Sequence, residues 1–526
     1  MAARTIPIAR WVIAGVFLVI VLGLLLSKSI GVKDEPAQAT VPEMDTTQAE
    51  TAAEETTESV VQTDQLPALE SLQRVDLEKA PARRSLDLQH WTTDEGSRVY
   101  FMQATELPML DLQLMFAGGA SRDGDQPGVA LVTNGMLNEG IKGMDAGAIA
   151  AGFEKLGAQY SNSSHRDMAL TNLRTLTASD KLQPALDLFT RVVSQPAFPE
   201  ESFERLRNQL LASLQMRLQS PSALGSEAFW TALYPDHPYG SLPSGQPESL
   251  ALLTPAALKA FHREYYTAGN AVIALVGNVD RQEAERIASR LSRALPPGPA
   301  VASVVEPAPL QPKREHLLFD SQQTHILMGQ LGISRHDPDY AALYVGNQIL
   351  GGSGFGSRLM EQIREQRGLS YSVNSSVIPM QASGPFQISM QTRSDQVALA
   401  LEVIDSTLTE FVRDGPTETE LVRSKRQIMG EFPLSTASNG AIVGQLGAIG
   451  FYNLPLNQMQ LFLDQVEKLS VADVQAAFQR HIKPDQLVIV TVGPALAPEQ
   501  AEDVIAPADA PVPVPVPVPQ APEPEA

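Results

Sequence analysis

The chain consists of two similar halves, and this internal repeat constrains its fold more than any other feature. Four landmarks occur in the same order in both halves. The paired landmarks begin at Gly157 and Gly368, Glu204 and Glu420, Thr254 and Ser470, and Ala271 and Leu487. The last three pairs are separated by 216 residues and the first by 211, and a difference of this size is an ordinary change in a surface loop. The sequence therefore predicts one folding unit that is used twice.

Each half mixes strands with helices. Residues 110–116 alternate between apolar and polar side chains, as in a half-buried strand. Residues 181–193 have apolar side chains at helical spacing, and so do residues 397–412. Another helical stretch is expected to end at about Asn138. These patterns predict an α+β fold of two homologous half-units, preceded by one transmembrane helix.

Composition divides the chain into six segments. A Pro-rich run after Leu295 is typical of a stiff linker between domains. The predicted segments are a membrane anchor at 1–32, an acidic linker without stable structure at 33–78, an N-terminal domain at 79–295, a Pro-rich linker at 296–313, a C-terminal domain at 314–498, and a Pro-rich tail at 499–526.

The membrane anchor is predicted from the uncharged run Trp11–Ser27, which is flanked by Arg10 and Lys28. A helix of this length is at the short end of what spans a membrane. A cleaved signal peptide is the competing interpretation, but the site Ala37-Gln-Ala39 lies about ten residues beyond the run. Positive charge before the run favours a single-pass inner-membrane protein with its globular part in the periplasm.

The formal charge of −21 is unevenly distributed. Residues 34–70 contain ten Asp or Glu side chains and no Lys or Arg, and this segment is too polar to bury a core. The excess of acidic over basic residues therefore gives no support for nucleic-acid binding. The chain has no cysteine, which excludes disulfides, thiolate metal ligands and a cysteine nucleophile.

Two residues of the second half carry the strongest functional signal. Arg364 and Tyr371 follow the Gly-rich run Gly351–Gly356. The first half contains Phe116-Ala-Gly-Gly-Ala120 and Asp236-His-Pro-Tyr-Gly240. In this order and spacing the runs resemble the pitrilysin/insulinase-type zinc peptidases, the inverzincins. The resemblance covers nearly everything between the acidic linker and the Pro-rich tail.

The resemblance implies that this chain binds no zinc of its own. In the family, zinc is held by both His residues of H-x-x-E-H and by a later Glu, and the Glu within the motif activates water. The corresponding His positions hold Leu131 and Gly135, and the base position holds Asn134. Residues 207–214 offer no Glu as third ligand. Neither Leu nor Gly has a side-chain atom that binds a metal.

The resemblance also implies a role for Arg364 and Tyr371. Some family members divide their functions between paired subunits, so that one chain holds zinc and the other supplies this Arg/Tyr pair. The Arg is a fixed cation, and the Tyr hydroxyl can donate to a peptide carbonyl as it becomes an oxyanion. The alternative is a solvated helix Arg and a Tyr that packs in the sheet.

The favoured functional hypothesis is a non-catalytic, substrate-binding subunit of a heteromeric zinc metallopeptidase, inactive alone. Its expected partners are a homologous H-x-x-E-H subunit that carries the zinc and a peptide or unfolded protein substrate. The alternative is a catalytically silent scaffold or peptide-binding protein of the same fold. An independent peptidase with an unrecognised metal site has little support, because none of the eight His residues lies in a ligand motif.

Removal of residues 1–33 is expected to turn a membrane-bound protein into a soluble one, because the apolar run is then lost. Fractionation of cells that express either chain, followed by carbonate washing of the membranes, checks this. Recovery of a mature chain that starts near Thr40 in the soluble periplasmic fraction would identify the run as a cleaved signal peptide instead.

Overall fold

The structure, a computed structural model, describes residues 86–352 and 354–496. The predicted membrane anchor, the acidic linker and the Pro-rich tail lie outside these ranges. Within them, no helix combines the length and the apolar character that a membrane span requires. The limits given above for the six segments stay predictions.

Thirteen strands are present in the described residues. Their bounds are β1 Gln89–Thr92, β2 Arg98–Gln103, β3 Met109–Phe116, β4 Gly140–Ile141, β5 Met144–Asp145, β6 Gln159–Ser164, β7 Ala169–Leu176, β8 Ala271–Gly277, β9 Lys313–Leu318, β10 Gln323–Leu331, β11 Val373–Val377, β12 Pro385–Arg393 and β13 Val488–Gly493.

The strands form a six-stranded sheet, a five-stranded sheet and the small hairpin β4–β5. The strand order is β1-β2-β8-β3-β7-β6 in the first sheet and β9-β13-β10-β12-β11 in the second. β2 and β8 are parallel, as are β9 and β13, whereas all other neighbours are antiparallel. Apart from β1, the two sheets therefore share one topology, and the predicted duplication of a mixed α and β unit is confirmed.

Fifteen α-helices connect and cover these sheets in the same part of the chain. Their bounds are α1 Val129–Gly135, α2 Ala146–Leu156, α3 Ser179–Ser194, α4 Glu200–Arg217, α5 Pro221–Leu233, α6 Pro247–Leu252, α7 Pro255–Tyr265, α8 Arg281–Ala294, α9 Tyr340–Asn347, α10 Arg358–Met360, α11 Val397–Asp414, α12 Glu418–Glu431, α13 Asn439–Phe451, α14 Gln458–Lys468 and α15 Val471–His481.

The helices expected at 181–193 and 397–412 correspond to α3 and α11. The helix expected to end near Asn138 ends earlier, at Gly135. It begins only after Gly128, whose φ of 96° is left-handed, a conformation that favours glycine. The N–H groups of Gly128 and Ala130 donate to the carboxylate of Asp123 at 2.8 and 2.9 Å, which fixes where the helix starts.

The two halves exchange a helix. α5 belongs to the first half by sequence but packs on β10 and β13 of the second sheet. Its counterpart α13 belongs to the second half but packs on β2, β3 and β8 of the first sheet. Each sheet is thus covered on one face by helices of its own half and on the other by a helix of the other half.

The exchange corrects one sequence prediction. Residues 110–116 were expected to form a half-buried strand, yet every residue of β3 after Met109 is buried. Met115 packs against the cluster that contains Ile442 and Leu446 of α13, so the face expected to meet water is covered. Asp111 and Gln113 are buried on this strand. The carboxylate of Asp111 accepts a hydrogen bond from Arg174 Nε at 2.8 Å.

Glycines allow the exchanged helices to approach the sheets closely. A Cβ atom on Gly225 of α5 would lie 2.8 Å from a methyl carbon of Leu327. On α13, a Cβ atom on Gly450 would lie 2.5 Å from both Tyr100 Cε2 and Val272 Cγ1. Real Cβ atoms do not approach other heavy atoms so closely, because protein interiors are already densely packed.

Gly450→Val is expected to lower the free energy of unfolding by about 1–3 kcal/mol, because the added carbons overpack the contact between α13 and the first sheet. Gly444→Ala is the matched control, since a Cβ atom at Gly444 of the same helix meets nothing within 4 Å. The control should be neutral or more stable by up to about 1 kcal/mol, as helix propensity favours Ala. Urea unfolding of both variants checks this, and equal stability of the two would contradict the close approach.

Candidate functional site

The segment that carries the predicted Arg/Tyr pair has a specific local structure. Ser357 caps α10, because its hydroxyl accepts from the N–H of Met360. The helix then widens into a π-turn over Glu361–Glu365, a feature often found at functional sites. Gly368 has a φ of 61° and ends the turn, so that the chain can enter β11.

Arg364 lies between two exposed aromatic rings. The centre of its guanidinium is 4.7 Å from the ring centroid of Tyr371 and 4.6 Å from that of Phe355. The residues Tyr371 and Phe355 are 78% and 72% exposed, whereas the side chain of Arg364 is 26% exposed. Such cation–π contacts restrain a guanidinium without removing its charge. The structure thus brings Arg364 and Tyr371 together at the surface.

Phe355 is the residue of this site that sequence reasoning missed. It lies within the Gly-rich run, of which the described part includes the turn Gly354–Gly356. A single aromatic residue among glycines, close in sequence to a predicted functional Arg, was the available signal. An exposed aromatic ring in such a run can contact a ligand or hold a neighbouring side chain.

The Gly-rich run and α10 are both bonded to α12. Arg358 donates from Nε and from Nη2 to the two carboxylate oxygens of Glu420 at 2.8 and 2.7 Å. Arg423 donates to the carbonyl of Gly356 at 2.6 Å. The bidentate geometry of the Arg358–Glu420 pair is specific for guanidinium. These contacts hold the chain on both sides of Ser357 and so position the Arg/Tyr pair.

Glu420 is ionised over a wide pH range. Burial alone would raise its pKa, but the hydrogen bonds from Arg358 and Thr417 outweigh burial and lower the pKa to about 2. Both side chains of the pair are largely shielded, with 23% of Arg358 and 19% of Glu420 exposed. The pair is therefore less screened by solvent than a surface ion pair.

The positions that would hold zinc carry no metal ligands. Leu131 and Gly135 lie on α1, and a Cβ atom on Gly135 would be 3.2 Å from Leu206 of α4. Asn134 is buried, and its amide nitrogen donates to the hydroxyl of Tyr266 at 3.1 Å and to the carbonyl of Leu170 at 3.3 Å. A hydrocarbon side chain and a glycine cannot coordinate zinc. The residues present do not fit a zinc ion.

One cluster with metal-ligating atoms is present elsewhere in the described residues. Ligand atoms of Asp337, Asp339 and His481 lie within 4.8 Å of one another, although no ligand motif connects these residues in the sequence. However, Arg480 donates to both carboxylate oxygens of Asp339 at 2.8 Å, and this bond lowers the pKa of Asp339. A cation would meet the guanidinium, so the cluster is an ion-pair network.

The Asp-His-Pro-Tyr-Gly run has a structural role at the junction of the halves. The hydroxyl of Tyr239 donates to the carboxylate of Asp167 at 2.6 Å, and the N–H of Gln381 donates to the same group at 2.9 Å. His237 accepts from the N–H of Tyr239 at 3.2 Å and so stabilises the turn. Asp167 is buried, and burial raises its pKa.

Glu420→Gln is expected to destabilise the protein by roughly 2 kcal/mol near neutral pH, because a partly buried, bidentate ion pair is broken. The folded-state pKa of about 2 lies below the ordinary value of 4.5. The contribution of Glu420 is therefore fully present above pH 4.5 and is lost as the pH falls toward 2. The stability difference between wild type and variant should shrink by about 1 kcal/mol between pH 5 and pH 3.5.

Urea unfolding of both proteins at several pH values measures this difference. All other titratable groups are the same in both proteins, so their contributions cancel in the difference between the two free energies of unfolding. A difference that is constant with pH would show that the carboxylate of Glu420 is not stabilised in the folded state. Glu418→Gln is a suitable control, because Glu418 is exposed and lies in the first turn of the same helix.

Two family models match this chain. The model described as insulinase (peptidase family M16) matches residues 103–242, and the model described as peptidase M16 inactive domain matches residues 252–428. Together they include the degenerate metal positions and the Arg/Tyr pair.

Relatives and solved structures agree with these models. The chain is 29% identical over 397 residues to the non-peptidase homolog YmxG of Helicobacter pylori, covering 73% of this chain and 89% of that protein. It is 31% identical over 304 residues to the uncharacterized zinc protease ML0855 of Mycobacterium leprae, covering 56% and 67%. A crystal structure of a peptidase M16 inactive domain from Pseudomonas fluorescens is 50% identical, with a TM-score of 0.77, and covers 78% of this chain and 99% of that chain. The chain therefore belongs to peptidase family M16, the insulinase family, as a member without the zinc-binding motif.

Proposed function

We propose that this chain is the non-catalytic, substrate-binding subunit of a heteromeric zinc metallopeptidase. It supplies Arg364 and Tyr371 to the active site of a homologous partner subunit, which carries the H-x-x-E-H motif and the zinc. The observation that carries the proposal is the placement of the Arg364 guanidinium between Phe355 and Tyr371, with both rings exposed.

The chemistry of the pair suits peptide hydrolysis. When water attacks a peptide carbonyl, negative charge develops on the carbonyl oxygen, and preorganised donors stabilise it. Arg364 is a restrained cation, and the hydroxyl of Tyr371 is carried on an exposed ring. A Tyr that only packed in the sheet would be buried, so the exposure of Tyr371 argues for the functional interpretation.

The neighbouring strand offers a way to bind an extended peptide. β11 begins two residues after Tyr371 and is the outer strand of the second sheet. A peptide that pairs with this edge through backbone hydrogen bonds would be bound with little sequence preference. Its carbonyl groups would then pass close to the Arg/Tyr pair.

Similarity to known proteins supports the non-catalytic part of the proposal. The Helicobacter pylori relative is named a non-peptidase homolog, and the Pseudomonas fluorescens structure is described as an inactive M16 domain. A chain that lacks every zinc ligand but carries an exposed Arg/Tyr pair gains activity only with a zinc-bearing partner. We further propose that an N-terminal helix anchors the protein in the inner membrane and places its globular part in the periplasm.

Arg364→Ala and Tyr371→Phe are each expected to lower the kcat of the complex with the zinc-bearing homologue by about 10²–10³. Tyr371→Phe removes only a hydroxyl, so folding and assembly should be unchanged and the loss should fall mainly on kcat. The reconstituted complex is assayed with an unfolded protein and with a fluorogenic peptide. Metal analysis of the separated chains should assign the zinc to the partner.

Arg367→Ala is the matched control on the same segment. Arg367 is exposed, and it donates to the carbonyl and side-chain oxygen of Gln362 at 2.9 and 2.7 Å. This variant should retain the activity of the wild type. Wild-type kcat/KM in both Arg364→Ala and Tyr371→Phe would contradict the active-site assignment. The chain would then be a scaffold or a peptide-binding protein.

A further inference from the structure

The guanidinium of Arg364 is restrained by aromatic rings and not by hydrogen bonds. None of the described residues accepts a hydrogen bond from it. The one described carboxylate that approaches it belongs to Glu365, with 3.6 Å between Oε1 and Arg364 Nε, which is too long for a hydrogen bond. The contacts that hold the group are therefore those with the rings of Phe355 and Tyr371, at 4.6 and 4.7 Å.

Phe355 takes no part in the core. It is 72% exposed, and it packs against none of the four apolar clusters that the described residues form. Unlike Tyr371, it has no hydroxyl and cannot donate a hydrogen bond to a developing oxyanion. What its side chain offers to Arg364 is the face of one aromatic ring. Removal of that ring should therefore leave the core of the protein unchanged.

The backbone on both sides of Phe355 is fixed by hydrogen bonds. The carbonyl of Gly354 accepts from the N–H of Ser357 at 3.1 Å and from its hydroxyl at 2.8 Å. The carbonyl of Gly356 accepts from Arg423 of α12. Gly354 has a φ of 69°, a left-handed conformation that favours glycine. The ring of Phe355 is thus presented from a closed turn that is bonded to a helix.

Two carboxylates on the π-turn compete for Arg364. Glu361 lies three residues before it and Glu365 one residue after it, and both are exposed. An arginine side chain has many rotamers, and a guanidinium that is free to move forms charge-assisted hydrogen bonds with a nearby carboxylate. Such a bond would use the N–H groups that a substrate carbonyl needs. The ring of Phe355 limits this movement, because it adds a second contact to the one made by Tyr371.

We propose that Phe355 is a positioning residue for Arg364. Its ring holds the guanidinium away from the carboxylates of Glu361 and Glu365 and keeps the N–H groups free for the carbonyl oxygen of a peptide substrate. Phe355 acts through Arg364 and donates nothing to the substrate itself. The inference rests on the proposed function, since it takes the role of Arg364 in peptide hydrolysis as given.

Two substitutions of Phe355 test the proposal in the reconstituted complex with the zinc-bearing homologue, assayed with a fluorogenic peptide. Phe355→Leu keeps an apolar side chain but removes the aromatic face. It is expected to lower kcat by about 3- to 10-fold, the size of one cation–π contact, with KM unchanged. Phe355→Tyr keeps the ring and should retain kcat within about twofold. An equal loss of kcat in both variants, or a change in KM alone, would overturn the proposal.

A double-mutant cycle separates positioning from direct contact with the substrate. When Arg364→Ala is already present, Phe355→Leu should cause no further loss of kcat, because its effect passes through Arg364. The same loss in both backgrounds would identify Phe355 as a substrate contact and overturn the proposal. A low kcat in Arg364→Ala beside a wild-type kcat in Phe355→Leu would overturn it too, while the proposed function stands. Wild-type kcat in Arg364→Ala would contradict the proposed function, and this inference with it.

Chemical modification gives a second measurement that needs neither activity nor the partner. The full-length chain in detergent is treated with phenylglyoxal, which reacts with guanidinium groups, and mass spectrometry of its peptides follows each Arg. Arg364 should react at least about threefold faster in Phe355→Leu than in the wild type, because one ring contact is lost. Arg367, which is bonded to Gln362, is the internal reference and should react equally in both. Equal reactivity of Arg364 in the two chains would overturn the proposal.

Discussion

The structure depends on the burial of each sheet by a helix from the other half. Both sheets have two apolar faces, and helices of the same half cover only one of them. The second face is shielded from water by α5 or α13. Since burial of apolar surface is the main force in folding, neither half is complete alone. The exchange joins two similar units into one structure and sets their relative position more firmly than a Pro-rich linker could.

The two copies of the unit differ at the positions that the family resemblance marks as functional. In the first half, the buried Asn134 of α1 donates hydrogen bonds to Leu170 and Tyr266. Gly135 of the same helix packs against Leu206 of α4. In the second half, Tyr371 is exposed and Arg364 is partly exposed, and the partly buried pair of Arg358 and Glu420 holds the segment before them. The asymmetry agrees with the proposed role of this chain beside a zinc-bearing partner subunit.

The sequence predicted those features that depend on local pattern or on repetition. The duplication and the helices α3 and α11 follow from spacing along the chain, and the pairing of Arg364 with Tyr371 followed from a family resemblance. Features that depend on distant contacts could not be predicted. The polar residues Asp111 and Gln113 suggested a solvent-facing side of β3, because nothing in their surroundings indicates a helix more than 300 residues away. The pairing of Arg358 with Glu420, 62 residues apart, was hidden for the same reason.

The exchange of helices has a consequence for synthesis of the protein on the ribosome. The first sheet is complete in sequence once β8 has been made, but its second face stays uncovered until α13 follows at residue 451. At about 5–20 residues per second, this interval lasts on the order of ten seconds or more. During that time the nascent chain presents an apolar sheet face to its surroundings. Chaperones that bind emerging chains are therefore expected to engage the first half until translation of the second half is nearly finished.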